Sequence, residues 1–189
     1  LIQSLTRLIA KKRQIKQGAM QTLLNPYENG CLKTGWSFKK IKSVADISTG
    51  SKNTQDKVAN GIYPFFVRSQ TVENIDSYSF DGEAILTAGD GVGTGKVFHY
   101  INGKFDFHQR VYIISSFNKA IDGCYLFLYF SNNFYNRIMQ MTAKSSVDSV
   151  RMEMIADMKI PFPSTKEEQS RIATILSDMD TEITALETK

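Results

Sequence analysis

The feature that most constrains this chain is a pair of amphipathic helices, one at each end, of opposite charge. Residues 1–24 carry Arg7, Lys11, Lys12, Arg13 and Lys16 and no acid. Residues 164–189 carry Glu167, Glu168, Asp178, Asp180, Glu182 and Glu187 against Lys166, Arg171 and Lys189. In the first segment Leu1, Leu8 and Ile15 recur every seven residues. Leu5 and Ala19 fill the interleaved position, with Lys12 as a polar exception. In the second, Gln169, Ile172, Leu176, Met179, Ile183 and Leu186 form a more continuous seam. Neither helix can bury such a stripe alone. At 1.5 Å per residue a helix of this size is about 36 Å long, too long to dock fully on a small domain. Pairing as antiparallel coiled-coil partners, with each other or with copies of each other, accounts for the stripes better.

The helix boundaries have local causes. Asn25-Pro26 stops the first helix, because the residue before proline avoids helical geometry. Pro161-Phe162-Pro163-Ser164 precedes the second, with Ser164 or Thr165 as N-cap and Glu167 or Glu168 completing a capping box. The expected organisation is a helix over 1–24, a globular domain over 25–163 and a helix over 164–189. The start, Leu1-Ile2-Gln3-Ser4, has neither an initiator Met nor a signal-peptide pattern and reads as a chain cut in mid-helix.

Composition narrows the class. The net charge is +4 with a pI near 9.0, which favours an anionic partner such as nucleic acid. No apolar run approaches the roughly 20 residues of a membrane span. Cys31 and Cys124 are far apart and have no second Cys or His at metal-ligand spacing. They fit reduced cysteines in a cytoplasmic protein, with neither disulfide nor zinc.

The middle reads as mixed α and β. A short helix is expected over 41–47, a polar loop over 50–61, and strands over 63–68, 83–87, 95–101 and 110–114. A longer helix is expected over 123–141 and a short one over 152–157. The expected fold class is therefore α+β, a mixed α/β globular domain flanked by long coiled-coil-forming helices.

The run Gly89-Asp90-Gly91-Val92-Gly93-Thr94-Gly95-Lys96 is not a phosphate-binding P-loop. Asp90 stands where that loop needs its first glycine, and Val97 stands where it needs Ser or Thr. Asp90-Gly91-x-Gly93-x-Gly95 is similar to the glycine motif that cradles S-adenosylmethionine, but a strand rather than a helix is expected to follow. Asn25-Pro26-Tyr27 lacks the second proline of an amino-methyltransferase motif. No Ser-His-Asp, Cys-His or clustered-carboxylate pattern suggests catalysis. The glycines instead let backbone N–H groups approach a phosphate, with Thr94 and Lys96 adding a donor and a charge. His99, His108, Gln109 and Arg110 follow, and Arg and Gln suit readout of guanine and adenine edges. Each histidine fits a structural position equally well, and Arg110 could be bonded to a carboxylate.

The ends also carry a resemblance. The stretch Arg13-Gln14-Ile15-Lys16-Gln17-Gly18-Ala19-Met20-Gln21-Thr22-Leu23-Leu24 resembles a helix terminus in specificity subunits of type I restriction-modification enzymes. So do Ile160-Pro161-Phe162-Pro163, Glu168-Gln169-x-Arg171-Ile172-Ala173-x-Ile175-Leu176 and Asp180-x-x-Ile183-x-x-Leu186-Glu187. Residues 90–112 are similar to the core of a target recognition domain in that family. The resemblance implies a non-catalytic DNA-recognition subunit without a cofactor of its own. Its implied partners are double-stranded DNA, methyltransferase subunits and a motor-nuclease subunit. The family's full subunit carries two recognition domains; one is visible here, so the chain looks like a half-subunit, natural or truncated, that would dimerise or pair with a second half to read a bipartite site. On this reading the DNA-binding residues are Arg68, Ser69, Gln70, Lys96, Gln109, Arg110, Lys144, Ser145 and Arg151, and the interaction seam is Leu1, Leu5, Leu8 and Ile15 with Ile172, Leu176, Met179, Ile183 and Leu186. The rival readings are a small S-adenosylmethionine-dependent methyltransferase and a coiled-coil protein-interaction adaptor.

Overall fold

The computed structural model describes residues 2–141 and 148–188. Leu1, Lys144 and Ser145 lie outside the described residues. The chain divides into two units, Leu1–Phe38 with Pro161–Lys189, and Lys39–Ile160. Residues 25–38 and 161–163 therefore group with the terminal helices.

In the first unit helix α1 (Ile2–Leu23) packs against α4 (Lys166–Glu187). Thr165 caps α4 by accepting from the Glu168 N–H at 3.2 Å, and Glu167 and Glu168 favour the positive end of the helix dipole. On α4, Gln169, Ile172, Leu176 and Ile183 are buried, and Met179 and Leu186 are half-buried. The buried Gln169 amide is satisfied by donating to the Pro163 carbonyl at 3.3 Å.

On α1 the less exposed face runs through Leu5, Ile9, Lys12, Lys16, Ala19 and Leu23, while Leu8 and Ile15 are exposed. The steps of four and three residues are a heptad pattern, but rotated from the expected stripe. The reason is electrostatic. Lys12 reaches Glu182 at 2.7 Å, Lys16 reaches Asp180, and Arg13 reaches Glu187 at 2.6 Å. Each lysine lays its methylene stem on the interface and keeps its ammonium at the rim. Arg13 and Lys16 take partners in the reverse sequence order, so the helices are antiparallel. The unit also holds a hairpin of β1 (Tyr27–Glu28) and β2 (Cys31–Leu32) around Asn29-Gly30, both at positive φ. Two further short strands, β3 (Ser37–Lys40) and β10 (Lys159–Phe162), lie where the chain passes from one unit to the other.

The second unit is built on a six-stranded sheet in the order β4-β9-β7-β8-β5-β6. The strands are β4 (Asp46–Thr49), β5 (Tyr63–Phe66), β6 (Glu73–Ile75), β7 (Phe80–Ala88), β8 (Phe98–Phe107) and β9 (Val111–Ser115). All pairs are antiparallel except β5 with β8. One face gathers Phe66, Ala84, Leu86, Phe105, Phe107, Val111 and Ile113 into a core. His99 and Phe105 lie six residues apart on β8, a span of about 20 Å in an extended strand. Both rings nonetheless touch Phe66, at centroid distances of 5.0 and 5.5 Å. The sheet therefore curls around this cluster. Gly82 and Gly103, paired across β7 and β8 at φ 146° and 147°, supply a backbone shape that side chains disfavour. The other face receives helix α2 (Gly123–Met141), whose Phe130 and Phe134 meet Phe98 edge to face.

Several expected elements differ; the strand expected over 63–68 ends at Phe66, before Arg68, and the one expected over 110–114 spans Val111–Ser115. Residues 41–47 are not one helix: Ile41–Ser43 is a single 3₁₀ turn, and Asp46–Thr49 pairs with β9. The β-branched Val44 and Ile47 suit that outcome. The strand expected from Gly95 starts only at Phe98, because residues 91–96 are wound into a turn by Gly91 O accepting from Thr94 N and Gly93 O accepting from Lys96 and Val97 N. The expected strand 83–87 extends at both ends, to Phe80 and Ala88. Helix α3 (Met152–Ala156) falls within its expected range.

Candidate nucleic-acid interface

Three loops of the sheet unit converge on Asp90. Arg68 follows β5, Asp90 lies in the Gly-rich loop after β7, and Arg110 lies in the turn between β8 and β9. Arg68 Nη1 donates to Asp90 Oδ1 and Arg110 Nη1 donates to Oδ2, each at 2.8 Å. Burial alone would raise the Asp90 pKa. The hydrogen bonds and positive charges of Arg68 and Arg110 outweigh it and hold the carboxyl below its ordinary value.

The backbone around this carboxylate is fixed on both sides. Gly89 N donates to Arg110 O at 2.8 Å, Val150 N donates to Gly89 O at 2.7 Å, and Gly91 N donates to Asp148 O at 3.3 Å. Glycine is required within the loop. A Cβ at Gly93 would stand 2.5 Å from the Arg68 carbonyl, and Gly91 has φ +79°. Val92, between them, is 99% exposed. Asp90, Gln109, Arg110, Tyr112 and Ser149 line a recess of about 200 Å³.

The other expected DNA-binding residues distribute around this centre. Ser69 is exposed; its hydroxyl donates to Thr71 O at 2.9 Å and its carbonyl accepts from His99 Nε2 at 3.2 Å. Gln70 is exposed, with its amide 3.5 Å from the Phe98 carbonyl. Gln109 is exposed and donates to Asn53 Oδ1. Lys96 is held differently, its ammonium 5.5 Å above the Tyr135 ring of α2. Arg151 is exposed at the start of α3, two residues from Ser149, which bridges to Asp90.

Both histidines take structural partners. His108 is buried, and its Nδ1 accepts from the Arg110 N–H at 3.0 Å. Burial lowers the pKa of each, opposed at His99 by the Ser69 carbonyl and reinforced at His108 by the charge of Arg68. Sequence reasoning placed Asp90 only in a glycine motif and did not single out Asn53, Tyr112 or Ser149. Asp90 lies 22 residues from Arg68 and 20 from Arg110, so no local pattern marks the cluster. Among the described residues no group of three or more His, Cys, Asp and Glu side chains is arranged to hold a metal ion. No helix among them is long and apolar enough to cross a membrane.

Comparison with known proteins identifies the family and the fold. The chain is 27% identical over 161 residues to the type I restriction enzyme EcoDI specificity subunit of Escherichia coli, which spans 84% of this chain and 35% of that protein. The fold matches the crystal structure of a type I restriction-modification S subunit from M. genitalium with a TM-score of 0.82 at 11% identity, over 98% of this chain and 52% of the other. It matches the HsdS subunit from Thermoanaerobacter tengcongensis with a TM-score of 0.67 at 16% identity, over 99% and 49%. The chain thus spans about a third of the curated relative and about half of the solved subunits. A family model described as the type I restriction modification DNA specificity domain matches residues 33–189. The chain belongs to that family.

Proposed function

We propose that the chain is a non-catalytic DNA-recognition module of a type I restriction-modification system. It reads one half of a bipartite double-stranded site and directs methyltransferase and motor-nuclease subunits to it. The observation that carries this reading is the convergence of Arg68, Arg110 and Asp90, with exposed Ser69, Gln70 and Gln109 beside them, on one unit of a specificity-domain fold. Phosphate contacts position such a surface and base-edge contacts give it selectivity. Basic residues of the sheet unit serve the first task, and Arg, Gln and Ser serve the second.

The paired helices form the assembly arm. Their antiparallel packing supports a coiled-coil role, and the exposed Leu8 and Ile15 leave α1 an apolar stripe for a second half-subunit or a methyltransferase subunit. Cys31 and Cys124, neither of them in a disulfide, fit a cytoplasmic site of action.

The test is expression with a methyltransferase partner. Adenine methylation at one defined sequence motif is expected, and pure chain supplied with S-adenosylmethionine should transfer no methyl group. Methyl transfer by the chain alone would refute the non-catalytic assignment, and methylation without a motif would refute sequence recognition.

A further inference from the structure

We propose that Asp90 is the positioning residue that sets base selectivity. It holds Arg68 and Arg110 as one rigid fork and withholds part of their charge from DNA phosphates. This rests on the DNA-recognition reading above. The two guanidiniums bind opposite oxygens of one carboxylate at the same 2.8 Å distance. A guanidinium has five N–H donors, so each arginine keeps donors beyond those that Asp90 takes. The carboxylate is 20% exposed, whereas the arginine side chains are 43% and 61% exposed. The anion is thus covered, and the cations remain open to a ligand.

The consequence for recognition follows from guanidinium chemistry. An unanchored arginine swings to the nearest phosphate, which carries no sequence information. An arginine with its plane fixed can meet a guanine edge in bidentate geometry. Asp90 is itself fixed, since the backbone N–H groups of Gly89 and Gly91 and the carbonyl of Gly89 are all engaged. The trio carries one net positive charge instead of two, which lowers attraction to any duplex regardless of sequence. Ion pairs this exposed add little to stability, so holding the fold together is not what the arrangement mainly supplies.

The experiment uses the full chain and a pool of randomised DNA duplexes, with total binding measured at two salt concentrations and the bound fraction sequenced. Asp90→Ala should bind the unselected pool several-fold more tightly, and its salt slope should steepen by about one. Preference at the affected base pairs should fall roughly five- to a hundredfold. Asp90→Glu, which restores the charge at a longer reach, should recover part of that preference. If Asp90→Ala keeps the parental base preference, the proposal is overturned. It is equally overturned if selected and unselected binding fall together with the melting temperature, since Asp90 is then only structural. If the parent selects no sequence, the DNA-recognition reading fails first and takes this inference with it; the parental measurement separates the two failures.

Discussion

The helical unit and the sheet unit are held together by different means. In α1 and α4 one narrow stripe of side chains carries the packing, and Lys12, Arg13 and Lys16 pair with acids along its rim. In the sheet unit two faces are filled. Phe65, Phe105, Phe130, Phe134, Tyr125, Ile85, Leu86, Ile113 and Ile114 are all fully buried there. A seam of one residue per turn has no reserve, because each of its members is the contact for that turn. A curled sheet with an aromatic core spreads its stability over many non-local contacts. That leaves its connecting loops free to carry charges and exposed polar groups, which is where binding residues concentrate in folds generally.

The comparison breaks most directly by disrupting each interior in turn. Phe105→Ala removes a ring that touches Phe66, Phe80 and Phe107, and should cost about 3–5 kcal/mol. Leu176→Asp with Ile183→Asp puts two carboxylates into the helical seam and should cost several kcal/mol. Amide hydrogen exchange resolved by segment distinguishes the units. Phe105→Ala should lower protection across β5, β7, β8 and β9, and the double aspartate variant should lower it in α1 and α4. Equal loss of protection everywhere in both variants would show one cooperative body and end the distinction.

The same contrast decided what could be read from the sequence. The α4 seam, the stop at Asn25-Pro26 and the N-cap at Thr165 depend on residues within a few positions of each other, and each was legible. The face of α1 was read a step off at Leu8 and Ile15: Lys12 already stood in the stripe as its polar exception, but Lys16 looks outward-facing until Asp180 is placed beside it. Asn29-Gly30 is a strong hairpin signal, but it joins strands of only two residues, too short to show alternation. The sheet order was not legible. β5 runs parallel to β8 and β4 pairs with β9, so partners lie dozens of residues apart. The Asp90 cluster was hidden for the same reason. Its arginines were visible as base-reading types, and their common carboxylate depends on sheet pairing that no local pattern contains.

Surface substitutions on the sheet unit should act on binding rather than on stability. Arg110→Ala or Gln109→Ala should relax preference at one base pair by about 1–3 kcal/mol. Lys96→Ala should weaken binding to all duplexes alike and reduce the salt slope by about one. Titrations with a selected duplex and its single-base variants at two salt concentrations check both. Parental affinity and preference in all three variants would move the reading surface away from the Gly-rich loop, toward residues 68–71 or Arg151. On the helical unit, Lys12→Ala should cost no more than about 1 kcal/mol, since its partner Glu182 is half exposed. A larger loss in chemical denaturation would mean that the lysine stem, not its charge, is the main contact.

The smallest expected effect is a pH dependence confined to one unit. The chain has two histidines, His99 and His108, and both lie in the sheet unit. Burial holds each imidazole below its ordinary pKa of 6.5 in the folded state. The unfolded chain therefore binds protons more readily, and stability rises with pH through that window. Their contribution is fully present above about pH 6.5 and is lost as pH falls through the lowered folded values. Protonating His108 at Nδ1 would also break the bond it accepts from the Arg110 N–H, beside two arginines. Denaturation midpoints of the sheet unit, followed by exchange in β7 and β8 between about pH 8 and 5, should fall toward the acid end. His99→Gln keeps a donor for the Ser69 carbonyl, and His108→Asn keeps an acceptor for Arg110, so the pair should flatten the slope without abolishing the fold. Exchange in α1 and α4 should show no such histidine-linked slope. A slope that persists in the double variant would assign the pH dependence to carboxylates and remove this difference between the units.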